Sequence, residues 1–223
     1  MCQKLCKIYL RVGNTNQFLR RGKKMVDAIS NKLTYLIQKN VADVNNEKAE
    51  IINFGIKSIL SEVIKSLIIF TAAYFLGVLP YIIIALLSFG TYRTFAGGFH
   101  AKTQLKCLIS NSSILFGIVF LSYIEYTYVL WAYGLIFIIN CLLIHLYAPA
   151  DVEERPIVSK KLRKRLKIQS YIVMSMIFAI ALILIKDQLI KNILIYATLF
   201  ESLSLLPISY KLMKCNHGCT NAA

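Results

Sequence analysis

The sequence predicts an all-α polytopic membrane protein, with about six transmembrane helices preceded by an amphipathic helix on the membrane surface. Three observations carry that prediction. Hydrophobic residues make up 57% of the 223-residue chain, and the mean hydropathy is +0.59, well above ordinary soluble domains. The apolar residues are gathered into long runs separated by short polar segments. The formal net charge of +15 is carried by segments flanking those runs, as in the cytoplasmic loops of membrane proteins. On a soluble chain such a charge would point to nucleic acid, but no aromatic-interleaved basic groove or nucleic-acid motif is present. No nucleic-acid partner is expected. The six cysteines are scattered, several of them within predicted spans, which argues against a disulfide framework. Thiols facing the cytosol stay reduced.

Residues 1–24 are basic and irregular, contain no apolar signal-peptide core, and form a candidate dispensable leader, since Met25 is a second potential start. From Lys23 to Gln38 the apolar positions Met25, Val26, Ile29, Leu33, Leu36 and Ile37 recur at helical spacing and predict the amphipathic surface helix. Asn45-Asn46 offers an N-cap for a long helix running from Glu47 toward Leu76. Its first half carries Lys57, Glu62 and Lys65, so only the second half suits lipid. Gly77-Val78-Leu79-Pro80 breaks it, and Tyr81 to Phe89 begins a second span. Four more are expected at about Leu105–Tyr123, Tyr128–Tyr147, Gln169–Ile185 and Ile190–Pro207. Residues 25–214 thus form one membrane-embedded domain, and residues 215–223 a flexible tail.

Placing the N-terminus inside puts Arg93, Lys102 and Lys106 on the cytoplasmic side, with the seven basic residues from Arg155 to Lys167, and Lys211 and Lys214. Only Lys186 and Lys191 fall outside. Both termini are therefore expected in the cytoplasm. The largest polar loop runs from Ala148 through Asp151, Glu153, Glu154 and Pro156 into the basic run Lys160–Lys167. That run reads either as an anchor on anionic lipid headgroups or as a docking patch for an acidic peptide, and the two are compatible.

Tyr92 to Cys107 holds the chemistry-bearing residues. Gly97-Gly98 frees the backbone, His100 exchanges protons near neutral pH, and Cys107 is a nucleophile once deprotonated. Arg93, Lys102 and Lys106 surround the pair with positive charge. Seven residues of unbroken α-helix would separate the two side chains by roughly 10 Å along the axis. A catalytic pair therefore needs His100 on a loop or broken turn, which the double glycine allows. The alternative is a membrane-surface loop with an incidental histidine and a helix-start cysteine. Backbone N–H groups near Gly98 or Thr103 could form an oxyanion hole. Gln104 and Asn111 are candidates to orient His100 by helical spacing, although a dyad without a third member is simpler.

Other constellations are weaker. Cys141 and His145 are four apart on one predicted helix, but among apolar neighbours that offer a thiolate no charge. Cys215, His217 and Cys219 are metal-capable types at an unusual spacing, so no metal or other cofactor is expected. Glu62, Glu125 and Glu201 lie in or near spans, where carboxylates suggest ion or proton pathways, though each lies close enough to a span end to be interfacial.

Arg93, the element Phe95-Ala96-Gly97-Gly98-Phe99-His100-Ala101-Lys102-Thr103, Cys107, the later Tyr147-Ala148-Pro149-Ala150-Asp151 and Pro156 together resemble the accessory gene regulator B family. These are membrane cysteine endopeptidases of Gram-positive quorum sensing, and the similarity runs from about Ser30 to Lys214. The resemblance implies a multi-pass cell-membrane enzyme with its active site facing the cytoplasm. The implied substrate is a precursor peptide with an amphipathic N-terminal helix, a signal segment containing Cys or Ser, and an acidic C-terminal tail. Cleavage removes the tail and cyclises the signal segment to a thiolactone or lactone. His100 and Cys107 carry over as the catalytic residues. Arg93, Gly97, Gly98, Lys102, Gln104, Asn111, Arg155, Lys160 and Lys161 are supporting or substrate-binding candidates. Membrane lipids, and a second copy of the chain in a homo-oligomer, are further candidate partners. The rival reading is a non-enzymatic peptide exporter or peptide-binding scaffold using the same basic loops.

Overall fold

A computed structural model describes residues 25–41, 45–98, 104–124, 130–151, 157 and 159–213. They are all-α, in keeping with the predicted class, apart from one isolated backbone bridge between Gly97 and Ala150. The helices are α1 (residues 25–40), α2 (Asn46–Phe75), α3 (Leu79–Ala96), α4 (Gln104–Tyr123), α5 (Leu130–Tyr147), α6 (Lys160–Ala179), α7 (Gln188–Ser204) and α8 (Pro207–Met213). A π-helical turn, Ile180–Leu184, extends α6. The chain divides into two compact units after Ile69.

In the first unit, Asn45 caps α2 by accepting from the backbone N–H of Lys48 at 2.9 Å. Polar side chains tie α1 to α2. The Ser30 hydroxyl donates to the Asn53 carbonyl oxygen at 3.1 Å, Asn53 donates to Asn31 at 2.9 Å, and Lys57 pairs with Asp27 at 3.0 Å. Val26, Ser30 and Thr34 are the buried stripe of α1, while Met25, Ile29, Leu33 and Leu36 are exposed. Four of the six apolar positions predicted from periodicity thus point outward, as a helix lying in a membrane interface requires, while Val26 is buried and Ile37 half-buried.

The second unit begins at Phe70 in the last turns of α2, which end before the turn at Gly77, whose φ of 70° suits a residue without a Cβ. Pro80 stands in the first turn of α3, where its missing N–H costs nothing. The hub of this unit is α7, which packs against α3, α4, α5 and α6. Its buried residues include Asn192, Ile193, Ile195, Ala197, Thr198, Glu201 and Ser202. Its polar positions are paired across the bundle: Asn192 with Tyr133 at 3.4 Å, Thr198 with Asn140 at 3.2 Å, and Ser202 with Tyr92 at 2.9 Å. Leu87, Leu135, Ile138, Leu142, Ile172 and Met176 are exposed, as apolar side chains facing lipid would be.

Among the described residues, four helices are long and apolar enough to cross a membrane: Asn46–Phe75, Leu79–Ala96, Leu105–Tyr123 and Lys160–Leu184. Trp131–Tyr147 is a shorter apolar helix. The sixth expected span, Ile190–Pro207, corresponds to α7, which at 17 residues is short and carries its polar groups inward. One detail differs from the sequence reading. The basic run Lys160–Lys167 is not loop but the opening turns of α6, because the Ser159 side chain caps the helix by accepting from Leu162 N at 3.4 Å. Glu201, near the end of α7, is fully buried within the protein, where Arg93 compensates its charge from α3.

Candidate active site

The end of α3 and the start of α4 bracket the site. Helix α3 closes at Ala96 with Gly97 at φ 82° and Gly98 at φ 128°, both in the region that favours glycine. Each glycine is also required by what it touches. A Cβ on Gly97 would lie 2.0 Å from the Ala150 carbonyl oxygen, and one on Gly98 would lie 2.9 Å from Ser204 Oγ and 3.1 Å from Arg93 Nη1.

Two backbone hydrogen bonds hold this turn against the segment after α5. Ala150 N donates to the Ala96 carbonyl at 2.9 Å, and Gly98 N donates to the Ala150 carbonyl at 3.0 Å. The Ala150 segment is fixed in turn. Asp151 is buried and accepts from Arg163 Nη2 at 3.0 Å and from Ile157 N at 3.1 Å. Tyr210 of α8 donates to the Asp151 carbonyl at 3.3 Å. The glycine pair at the end of α3 and the Ala150 segment, separated in the sequence by α4 and α5, are thus joined through their backbones.

Beneath Gly98 lies an ionic cluster. Arg93 Nη1 is 3.1 Å from Glu201 Oε2 and 3.4 Å from Ser204 Oγ, and its guanidinium sits 5.5 Å from the centre of the Phe89 ring. Arg93 thus turns toward α7, where its charge is matched by Glu201.

Cys107 is buried in the opening turn of α4, the helix that begins at Gln104. The Asn111 side chain, one turn further along, donates to Cys107 Sγ at 3.8 Å. Lys106 is exposed and, with Ile109, Ser110, Ser113, Ile114 and Phe200, lines a groove of about 380 Å³ between α4 and α7. Lys160 and Lys161 are exposed in the first turn of α6.

Several sequence-predicted residues lie outside the described residues: His100, Lys102 and Arg155, the side chain of Gln104, and also Glu125, Pro156 and the Cys215–His217–Cys219 tail. Of the described candidates, Arg93, Gly97 and Gly98 form one cluster, and Cys107 with Asn111 forms a second. Among the described residues no group of three or more His, Cys, Asp or Glu side chains could hold a metal ion. In the rival pair, Cys141 packs half-buried against the core, whereas His145 is exposed. Glu201, Ser204 and Tyr210 were not assigned to the site from sequence. A carboxylate in an apolar run was the visible signal for Glu201, but its partner is 108 residues away.

The family model described as Accessory gene regulator B matches residues 30–205. An AgrB-like protein of Clostridium acetobutylicum is 36% identical over 73% of this chain and 77% of its own length. The Accessory gene regulator protein B of Staphylococcus intermedius is 30% identical over 70% of this chain and 81% of its own. An AgrB-like protein of Listeria innocua is 28% identical over 73% and 79%. No solved structure matches the chain. With a family model covering the glycine turn, Cys107 and the whole of α7, the chain belongs to the accessory gene regulator B family.

Proposed function

We propose that this protein is a membrane thiol endopeptidase that removes the C-terminal tail of a quorum-sensing precursor peptide and promotes cyclisation of the remaining signal segment. The observation that carries the reading is the anchoring on either side of His100 in the sequence. Gly98 is held by Ala150 two residues before it, and Cys107 stands in the first turns of α4 seven residues after it. A short tether fixed at both sides suits a residue that must meet Cys107 reproducibly.

In this reading Cys107 gives its proton to His100, and the thiolate attacks the scissile carbonyl carbon. The C–N bond then breaks, His100 returns the proton to the departing amine, and the signal segment remains as a thioester on Cys107. The opening turn of α4 favours negative charge through its macrodipole, and the Asn111 amide donates to Cys107 Sγ. Exchanging a peptide bond for a thioester is uphill, so release of the tail and exclusion of water decide the outcome. Attack by the precursor's own thiol or hydroxyl on the thioester carbon closes the ring and returns Cys107. The exposed lysines of α6 would receive the acidic tail. The cytoplasmic placement of both termini and the site belongs to the same proposal and rests on the lysine and arginine asymmetry.

The test is co-expression of wild type, Cys107→Ala and His100→Ala with a tagged precursor peptide, following tail release by mass. Both variants are expected to insert in the membrane and leave the precursor whole. Continued tail release by Cys107→Ala would sink the proposal and bring Cys141–His145 or a separate host protease forward. Signal peptide appearing outside the cell without any tail removal would instead favour the exporter.

A further inference from the structure

We infer that the groove between α4 and α7 is the subsite for one apolar side chain of the precursor, that of the residue whose carbonyl Cys107 attacks; the inference rests on the peptidase reading above. Lys106, Ile109, Ser110, Ser113 and Ile114 recur at i, i+3, i+4, i+7 and i+8 and so form one face of α4. With Phe200 of α7 that face borders a volume of about 380 Å³. Recognition pockets run from roughly 300 to 1,000 Å³ and are lined mainly by apolar and aromatic side chains with a few polar groups. This groove matches in both respects. Ile109, Ile114 and Phe200 make its walls, Ser110 and Ser113 supply hydroxyls, and Ser110 is buried.

Cys107 stands at the edge of this groove. It comes three residues before Ser110 and seven before Ile114, so the three side chains follow one stripe of α4. A peptide acylated onto Sγ keeps its last side chain within a few bonds of the sulfur, beside the groove. The departing tail needs no such hold, whereas the acyl segment must stay in place until its own thiol or hydroxyl attacks. Seating that side chain in the groove orients the thioester for ring closure and covers one side of it against water. The serines decide between a peptide and the other apolar occupant a membrane offers, a lipid acyl chain. A peptide brings N–H and C=O groups that find no water in a bilayer, and serine hydroxyls can pair with either kind. An acyl chain would leave those hydroxyls unmet.

The experiment gives the full chain in proteoliposomes two tagged precursors that differ only at that residue, Leu or Ala, once the mass of the released tail has located the cleaved bond. The readout is the ratio of kcat/KM for Leu over Ala, in which any loss of folded enzyme cancels. A single methylene in an apolar pocket is worth about 10- to 200-fold, so wild type should favour Leu by at least about tenfold. Ser113 is exposed on α4, and Ser113→Phe fills the groove; the ratio is expected to fall by about tenfold. Phe200→Ala, which removes a wall, should lower the ratio as well, and decides the matter where Ser113→Phe fails to insert. In a second measurement the precursor carries photo-leucine at the same residue and is bound by Cys107→Ala. Crosslinks are expected at Ile109, Ser113 or Phe200. A wild-type ratio near one, a ratio that neither variant changes, or crosslinks confined to lipid or to other helices would overturn the inference. Failure of the underlying reading shows elsewhere, as tail release by Cys107→Ala or none by wild type.

Discussion

Gly97 and Ala150 face each other backbone to backbone, so closely that a methyl group on Gly97 would sit 2.0 Å from the Ala150 carbonyl oxygen. Replacing Gly97 by Ala must therefore break the bridge as well as strain a φ of 82°. Backbone strain of this kind costs about 1–3 kcal/mol, and the displaced carbonyl adds to it. Gly97→Ala is expected to lower the unfolding midpoint in detergent and abolish tail release. Ala150→Gly, which keeps every backbone hydrogen bond, should retain most activity. Equal activity of Gly97→Ala and wild type would contradict the tight approach.

The Asp151–Arg163 pair should respond asymmetrically. Asp151 has a side chain with 0% exposure, while Arg163 retains 31%. Removing Arg163 strands a buried carboxylate, a change that costs about 3 kcal/mol or more. Removing the charge at Asp151 leaves a guanidinium that can still reach water. Arg163→Met should therefore be more destabilising than Asp151→Asn in thermal unfolding. The reverse order would show that the Asp151 carboxylate is not the dependent partner.

Asn111 offers a graded test of the thiol's surroundings. Its amide lies 3.8 Å from Cys107 Sγ, a long contact, and a net hydrogen bond of about 1 kcal/mol corresponds to roughly fivefold in rate. Asn111→Ala should slow Cys107 alkylation and kcat by about that factor. Asn111→Asp should be slower still, since it sets a negative charge beside the thiolate. An Asp variant faster than Ala would show that the amide is not acting on sulfur.

Lys160 and Lys161 occupy the first turn of α6, where positive charge opposes the helix macrodipole by about 0.3–1 kcal/mol per residue at an exposed position. Their replacement by Glu should therefore raise thermal stability slightly. If they receive the acidic tail, the same variant should raise KM for the precursor about tenfold with kcat unchanged, an effect of roughly 1.4 kcal/mol. It should also flatten the salt dependence of KM. Unchanged KM would confine the lysines to contact with lipid headgroups.

The sequence by itself determined the class of the protein. Apolar runs of membrane length, the distribution of lysine and arginine, the cap at Asn45 and the break at Gly77 are local properties, and they placed α2, α3, α4 and α5 closely. The same holds for the pairing of a Gly-Gly turn with a cysteine at the head of the next helix. One local reading erred for a physical reason. A basic run looks like loop until a cap such as Ser159 makes it helix. For the carboxylate near the end of α7, the sequence offered no view of the partner that makes its burial tolerable.

Tertiary structure alone decided what each element faces. Hydropathy records how apolar a helix is but not its neighbours, so α7 read as one more span rather than the hub that meets four other helices. The partnerships of Arg93 with Glu201, of Tyr92 with Ser202 and of Gly98 with Ala150 join positions that periodicity cannot connect. They arise only when buried polar groups must find one another in a medium that offers them no water.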